Sequence, residues 1–223
     1  MIEPALTTRT RIWDLPTRVF HWSLAGLFCF SWWSAENARM DWHRVSGYVL
    51  LALLLFRWYW GFAGSTTSRF SSFVKPPREV LDYAAHFFTR QGPITPGHNA
   101  MGGWSVLALI VLLSLQVFTG LFSVDTDGLE SGPLARFVSF STGRSYANVH
   151  GLSFDLLLIL VGLHVAVVLF YLFYKRQNLI TPMFTGDKRL PPEASPPLQF
   201  ASMGKALAGI VVAVVISVLI ARA

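Results

Sequence analysis

Long stretches of apolar residues constrain the fold of this chain more than any other feature. Five of them are long enough to cross the hydrocarbon core of a bilayer as α-helices, which takes about 20 residues. They cover residues 19–36, 45–63, 102–123, 151–174 and 204–221. Because these stretches lack the alternation of a membrane β-barrel, the sequence predicts an all-α integral membrane protein, with a four-helix transmembrane bundle and a fifth, C-terminal transmembrane helix.

The basic residues of the loops predict the orientation. Lys and Arg are enriched before the first stretch, between the second and third, and after the fourth, whereas the other two loops carry mixed charge. By the positive-inside rule, the chain is multi-pass in a bacterial inner membrane, with a cytoplasmic N-terminus and a periplasmic C-terminus. The net charge of +6 then belongs to loops that meet anionic lipid, and no pattern indicates nucleic-acid binding.

Four histidines, His21, His43, His150 and His164, lie inside or at the ends of the apolar stretches. Histidine is costly in hydrocarbon, so several of them indicate a bound metal or cofactor. Fourteen residues separate His150 from His164, which lowers the second by about 21 Å and rotates it by only about 40° on one helix. We therefore expect His43 and His150 to ligate an outer iron, and His21 and His164 an inner one.

The expected cofactors are two haem b groups, each held by two histidines. The sequence contains no Cys-x-x-Cys-His, which excludes covalent c-type haem, so coordination alone holds the iron. Two haems stacked across a bilayer form an electron-transfer chain.

Two arginines and a fifth histidine are further candidates to bind the inner haem. Arg57 follows His43 by fourteen residues and so lies on the same helix face at the inner level. It could hold a haem propionate or extend to the membrane surface, and we favour the propionate. Arg18, one turn before His21, is a weaker candidate for the same role. His98 could brace the start of the third helix, contact a propionate or line a quinone pocket.

The chain divides into three parts. Residues 1–190 hold the four-helix domain, including a cytoplasmic loop with an interfacial helix at about 64–98. Residues 191–199 contain four prolines, which predict an extended linker. Residues 200–223 form the fifth helix, which either docks to a partner or a second copy or acts as a plain anchor. The docking expectation rests on small residues at spacings of four: Gly204, Ala208, Gly209 and Ala213.

Several segments resemble the bacterial cytochrome b561 family, which includes the b-type cytochrome subunit of nickel-iron hydrogenases. The resemblance covers about residues 11–190. The matching segments are Trp13-Asp14-Leu15-Pro16-Thr17-Arg18-Val19-Phe20-His21-Trp22, His43-Arg44-Val45-Ser46-Gly47-Tyr48, Phe56-Arg57-Trp58-Tyr59-Trp60-Gly61-Phe62, Gly97-His98-Asn99-Ala100-Met101-Gly102-Gly103, and Arg176-Gln177-Asn178-Leu179 through Thr185-Gly186.

The resemblance implies a di-haem cytochrome b that exchanges electrons between membrane quinone and a periplasmic partner, either a cytochrome c or a hydrogenase-like enzyme. The four histidine ligands that the resemblance implies are the same ones that we expect from their depth in the membrane. We expect an electron-transfer subunit rather than a stand-alone enzyme. Two alternatives stay open: a self-contained oxidoreductase that oxidises superoxide and reduces quinone, and a haem-free membrane anchor.

Overall fold

Five long helices form the body of the molecule. The computed structural model describes residues 7–90, 94–192 and 197–223, so the expected domain 1–190 and linker 191–199 lie partly outside the described residues. The elements in chain order are β1 (Thr8–Arg11), α1 (Leu15–Glu36), α2 (Met40–Ala63), α3 (Phe70–Phe73), α4 (Pro77–Ala85), α5 (Ala100–Phe122), α6 (Phe140–Phe173), α7 (Ile180–Thr185), β2 (Asp187–Leu190) and α8 (Met203–Ala221).

Four helices among the described residues are long and apolar enough to cross a membrane: α2, α5, α6 and α8. The sequence predicts five crossings, and α1 is the helix missing from this set. Its 22 residues suffice in length, but three tryptophans and three serines make it less apolar than the others. A crossing by α1 therefore stays a prediction.

Helix α2 lies at the centre of the bundle, where it packs against α1, α5 and α8, while α5 packs against α6. Two groups of buried apolar side chains fill the contacts, because each helix turns a stripe of large residues inward. The group between α2, α5 and α6 consists of Leu50, Leu54, Leu113, Val117 and Leu157. The group between α1, α2 and α8 consists of Phe20, Phe56, Trp60, Ala206 and Ala213.

Part of the small-residue stripe expected to dock α8 to a partner is used within the chain. Gly209 lies against the ring of Tyr59 so closely that an added Cβ would overlap it. Polar groups join the same two helices: Ser217 Oγ donates to the Tyr48 carbonyl at 2.6 Å, and Tyr59 OH donates to the Lys205 carbonyl at 3.2 Å. Gly204 and Ala208 remain exposed.

A buried aspartate fixes the start of α1. Asp14 is 4% exposed, and its Oδ1 accepts from the Thr17 backbone N–H at 2.7 Å as an N-cap. Its Oδ2 accepts from the Trp60 indole N–H at 3.1 Å. Asp14 therefore ties the beginning of α1 to the end of α2.

A two-stranded antiparallel ribbon joins the N-terminal segment to the segment after α6. Strand β1 pairs with β2, with Arg9 opposite Arg189 and Arg11 opposite Asp187. The Gly186 carbonyl also accepts from the backbone N–H groups of Ile12 and Trp13, at 2.8 and 3.0 Å. The start of α1 and the end of α6 consequently lie at the same end of the bundle.

The loop between α2 and α5 contains the short helix α4, in the region where an interfacial helix is expected. Tyr83 on α4 shares a hydrogen bond with Tyr171 on α6, with 2.5 Å between the hydroxyl oxygens. Asn99 Nδ2 donates to the same Tyr171 oxygen at 2.8 Å. These bonds hold the loop against the start of α5 and the end of α6.

Candidate functional site

His43 on α2 and His150 on α6 face each other near one end of the bundle, with their ring centroids 6.1 Å apart. We call this end outer and the opposite end inner, after the orientation that the basic loops predict. The Nδ1 atom of His43 lies 3.0 Å from the Ser31 carbonyl oxygen. The Nδ1 atom of His150 lies 2.8 Å from the Gln116 carbonyl oxygen. Each carbonyl favours the tautomer that donates from Nδ1 and carries the lone pair on Nε2, the atom that would bind a metal; on His150 that lone pair accepts from the Gln116 side-chain amide in this structure.

Two residues of α5 shape the surroundings of His150. Gln116 Nε2 lies 3.0 Å from His150 Nε2, and Ser153 Oγ donates to Gln116 Oε1. An added Cβ on Gly120 would lie 2.9 Å from His150 Cε1, which is too close for a real Cβ. The absence of a side chain at Gly120 thus makes room for the imidazole.

His21 on α1 and His164 on α6 form a second pair near the inner end, with ring centroids 6.5 Å apart. The Trp22 ring packs edge-on against His21 at 4.9 Å. The Nδ1 atom of His21 is buried and has no hydrogen-bond partner among the described residues. Helix α6 therefore contributes one histidine to each pair.

Unsatisfied polar atoms concentrate at the inner pair. Six buried side-chain nitrogen or oxygen atoms lack a hydrogen-bond partner in the part of the chain that the structure describes, and four belong to predicted site residues. These four residues are Arg18, His21, Arg57 and His98. Because such atoms are costly when unpaired, their clustering indicates a missing binding group.

The two arginines are held so that each keeps a donor free. The Arg57 side chain is buried, 4% exposed, with its guanidinium carbon 5.1 Å from the Phe70 ring centroid and 5.8 Å from that of Phe73. One terminal nitrogen of Arg57 has no partner among the described residues. Arg18 donates from a terminal nitrogen to the Phe184 carbonyl, while its Nε stays unpartnered there.

His98 lies beside the inner pair in an aromatic setting. Its ring centroid is 4.9 Å from those of Trp13 and Phe73. Burial lowers the pKa of His98 to about 3, and the positive charge of Arg57 acts in the same direction, with smaller contributions from His164 and His21. His98 is therefore a neutral imidazole at physiological pH.

Both histidine pairs have the spacing that haem iron requires. Metal–imidazole bonds are about 2 Å long, so two imidazoles on opposite faces of one iron have ring centroids about 6 Å apart. The distances of 6.1 and 6.5 Å match this spacing. The free nitrogens of Arg18 and Arg57 supply the charge-assisted donors that a carboxylate prefers. The residues present thus fit two haems.

Three residues that support the pairs are missing from the predicted site: Asp14, Ser31 and Gly120. Asp14 has a sequence signal, because an Asp before a Leu-Pro pair is typical of an N-cap. Ser31 and Gly120 act through a backbone carbonyl and through the lack of a side chain. Their roles depend on which helix they face, and no local pattern reveals that.

The comparison with protein families identifies the chain. Comparison with curated proteins and with solved structures gave no match. The family model described as prokaryotic cytochrome b561 matches residues 12–186, close to the predicted extent of 11–190. The match supports a multi-pass membrane cytochrome of b type that transfers electrons. It confirms the resemblance seen in the sequence: the chain belongs to the prokaryotic cytochrome b561 family.

Proposed function

We propose that the protein is a di-haem electron carrier that links the quinone pool to a redox partner in the periplasm, either a cytochrome c or a hydrogenase-like enzyme. The observation that carries the proposal is the pair of histidine contacts, at 6.1 and 6.5 Å, near opposite ends of the bundle. When bound, haem iron supplies one-electron chemistry between its two oxidation states.

The protein's own groups hold and orient the four imidazoles. At the outer pair, the carbonyls of Ser31 and Gln116 accept from the Nδ1 atoms and fix the direction of each ring. Apolar side chains of α2, α5 and α6 pack between the two pairs, and the four histidines themselves are half-buried. This burial is one of the means by which proteins set haem potential.

At the inner pair, roles are assigned to the residues whose buried nitrogen atoms lack a hydrogen-bond partner among the described residues. Arg57 and Arg18 would each neutralise a haem propionate. His98 carries no charge there and presents a buried Nδ1 toward the same region. Packed between Trp13 and Phe73, it is better placed to contact the inner haem than to line an open quinone pocket.

The superoxide-oxidising alternative needs an outer surface with free positive charge. Arg44, the basic residue next to His43, instead forms ion pairs with Asp41 at 2.6 Å and with Glu130. Arg144 donates to the Val124 carbonyl at 2.9 Å. The ion pairs reduce the positive charge at Arg44, beside the outer pair, and so weigh against attraction of a small anion there. A haem-free anchor would leave the unpartnered nitrogens at the inner pair unexplained.

The test is the haem content of the purified protein, measured as a pyridine haemochrome together with a reduced-minus-oxidised spectrum. We expect b-type bands and about two haems per chain. A ratio near one would contradict the pairing at two levels, and a folded protein without haem would contradict the function.

Single substitutions assign the ligands. His164→Ala and His43→Ala should each lower the ratio from about two to about one, because each removes one ligand of a different iron. His86→Ala is the matched control, since His86 is exposed on the inner loop and should leave both haems in place. If His98→Ala loses a haem while His164→Ala retains both, the inner assignment is wrong.

A further inference from the structure

A cavity of about 500 Å³ opens beside the ribbon at the inner end of the molecule, and none of the four paired histidines lines it. Its walls come from β1, β2 and the segment between α6 and α7. The side chains that matter to its chemistry are Arg9, Arg176, Gln177, Asn178, Lys188 and Arg189. Asp187 is the one acidic residue among the lining residues.

The cavity carries an excess of positive charge. Arg9 binds Asp187, with its Nε and a terminal nitrogen 2.8 and 2.6 Å from Oδ2, which neutralises one of the four cations. Arg176, Lys188 and Arg189 form no ion pair with any described residue. Arg9 also lies directly opposite Arg189 in the ribbon, an arrangement of like charges that destabilises a strand pair unless something else compensates.

The backbone conformation of Arg176 and the partial burial of the Lys188 ammonium group are both energetically unfavourable. Arg176 has φ of +57°, in the left-handed region that residues other than glycine rarely adopt. Lys188 is partly buried and donates from Nζ to the Thr95 carbonyl at 2.9 Å, and burial lowers the pKa of its ammonium group. Strain and a buried cation at one place are typical of a binding site.

We propose that this cavity binds a phosphate group, and that anionic phospholipid of the adjoining leaflet or free phosphate supplies it. Arginine presents a planar fork of donors that matches phosphate, and lysine adds a point charge. The cavity adjoins the membrane surface, because Arg176 follows the end of α6 by three residues. Ile94 adds an apolar surface to the lining, as a lipid headgroup with its attached chains requires.

The test uses the full-length protein and two double variants with equal loss of charge. Arg176→Gln with Arg189→Gln removes two cations from the cavity. Arg78→Gln with Arg90→Gln removes two exposed cations from the same end of the molecule, outside the cavity lining. Arg189→Gln alone serves if the first double variant fails to fold, because Arg189 is exposed.

Native mass spectrometry then measures retention of phosphatidylglycerol against phosphatidylcholine in mixed micelles. Wild type should prefer phosphatidylglycerol, the cavity variant should lose this preference by about tenfold, and the control should keep it. In a lipid-free arm, the thermal midpoints of wild type, cavity variant and control are compared in inorganic phosphate and in chloride at equal ionic strength. If the site also accepts free phosphate, phosphate should raise the midpoint of wild type and control, and the cavity variant should lose this rise.

The two arms distinguish the sources. Loss in the first arm alone identifies the lipid headgroup, whereas loss in the second identifies a site that also accepts free phosphate. If wild type shows no anion preference in either arm, or if cavity and control variants behave alike, the proposal is wrong.

Discussion

At the scale of single residues, the hydrogen bonds of buried polar atoms distinguish the two histidine pairs. The outer histidines have their Nδ1 atoms paired with carbonyl groups, whereas His21 at the inner pair has an Nδ1 without a partner among the described residues. The backbone thus orients the outer pair, whereas no hydrogen bond among the described residues orients His21 through its Nδ1. Gly120 belongs to the outer arrangement, because the His150 ring occupies the space where a side chain would lie.

Gly120→Ala should perturb the outer haem. The added methyl group would press against the His150 ring and shift its Nε2, so we expect lower occupancy of one haem, or an altered signal from it, with the other unchanged. Haem content and electron paramagnetic resonance spectra measure this effect. Gly26→Ala is the control, because an added Cβ at Gly26 meets nothing within 4 Å. Identical spectra for the two variants would contradict the role of Gly120.

Asp14→Ala should destabilise the whole bundle without removing a ligand. The change leaves the Thr17 N–H uncapped and the buried Trp60 indole N–H unpaired, which should cost about 2 kcal/mol or more of folding free energy. In a chain of this size that corresponds to a fall in thermal midpoint of about 4–8 °C. Asp82→Ala on the exposed part of α4 should change the midpoint by much less. Equal midpoints would show that Asp14 is not a structural anchor.

At the scale of helices, α2 is the element that the others share. It contacts α1, α5 and α8, and it contributes His43 and Arg57 to the two sites. Helix α8 covers one side of it through small residues, which allow backbones to approach closely in a bilayer. The fifth helix thus belongs to the bundle itself, although its outer face remains free for lipid or another chain.

Gly209→Ala should weaken the contact between α8 and α2, since the new Cβ would overlap the Tyr59 ring. We expect a lower thermal midpoint with both haems retained, because no proposed ligand lies on α8. Gly204→Ala is the matched control on the same helix, where the nearest atom to an added Cβ is 4.0 Å away. A midpoint for Gly209→Ala at or above that of the control would mean that α8 packs elsewhere.

The long helices could be predicted from the apolar stretches, and the approach of His43 to His150 and of His21 to His164 could be predicted from helix geometry, which converts spacing into depth and direction. Ligation of iron by these histidines stays a prediction. His150 and His164 could be placed on one face by counting residues. The ribbon between β1 and β2 could not be predicted, since its strands are four residues each and 175 residues separate them. The contact of Gly209 with Tyr59 was missed for a similar reason. Small residues at spacings of four show that a helix can pack closely, but they do not show which neighbour it packs against.

For the whole molecule, the ribbon places residues 8–11 and 187–190 on one side of the membrane. The basic loops predict that this side is the cytoplasm. In a Cys29→Ser background, an impermeant maleimide should label Ser131→Cys in intact cells but label Ser71→Cys only after permeabilisation. Both positions are exposed, so a difference in labelling reports sidedness. The reverse pattern would invert the proposed orientation and move the partner protein to the cytoplasm.

Helix α6 runs without interruption from Phe140 to Phe173 and bears one histidine of each pair. Insertion or deletion of a single residue between His150 and His164 would turn one imidazole by about 100° relative to the other. Changes that keep both on one face must come in steps of about four or seven residues. During evolution the spacing between His150 and His164 is thus unable to drift gradually, and length variation in the family should fall in the loops rather than in this segment.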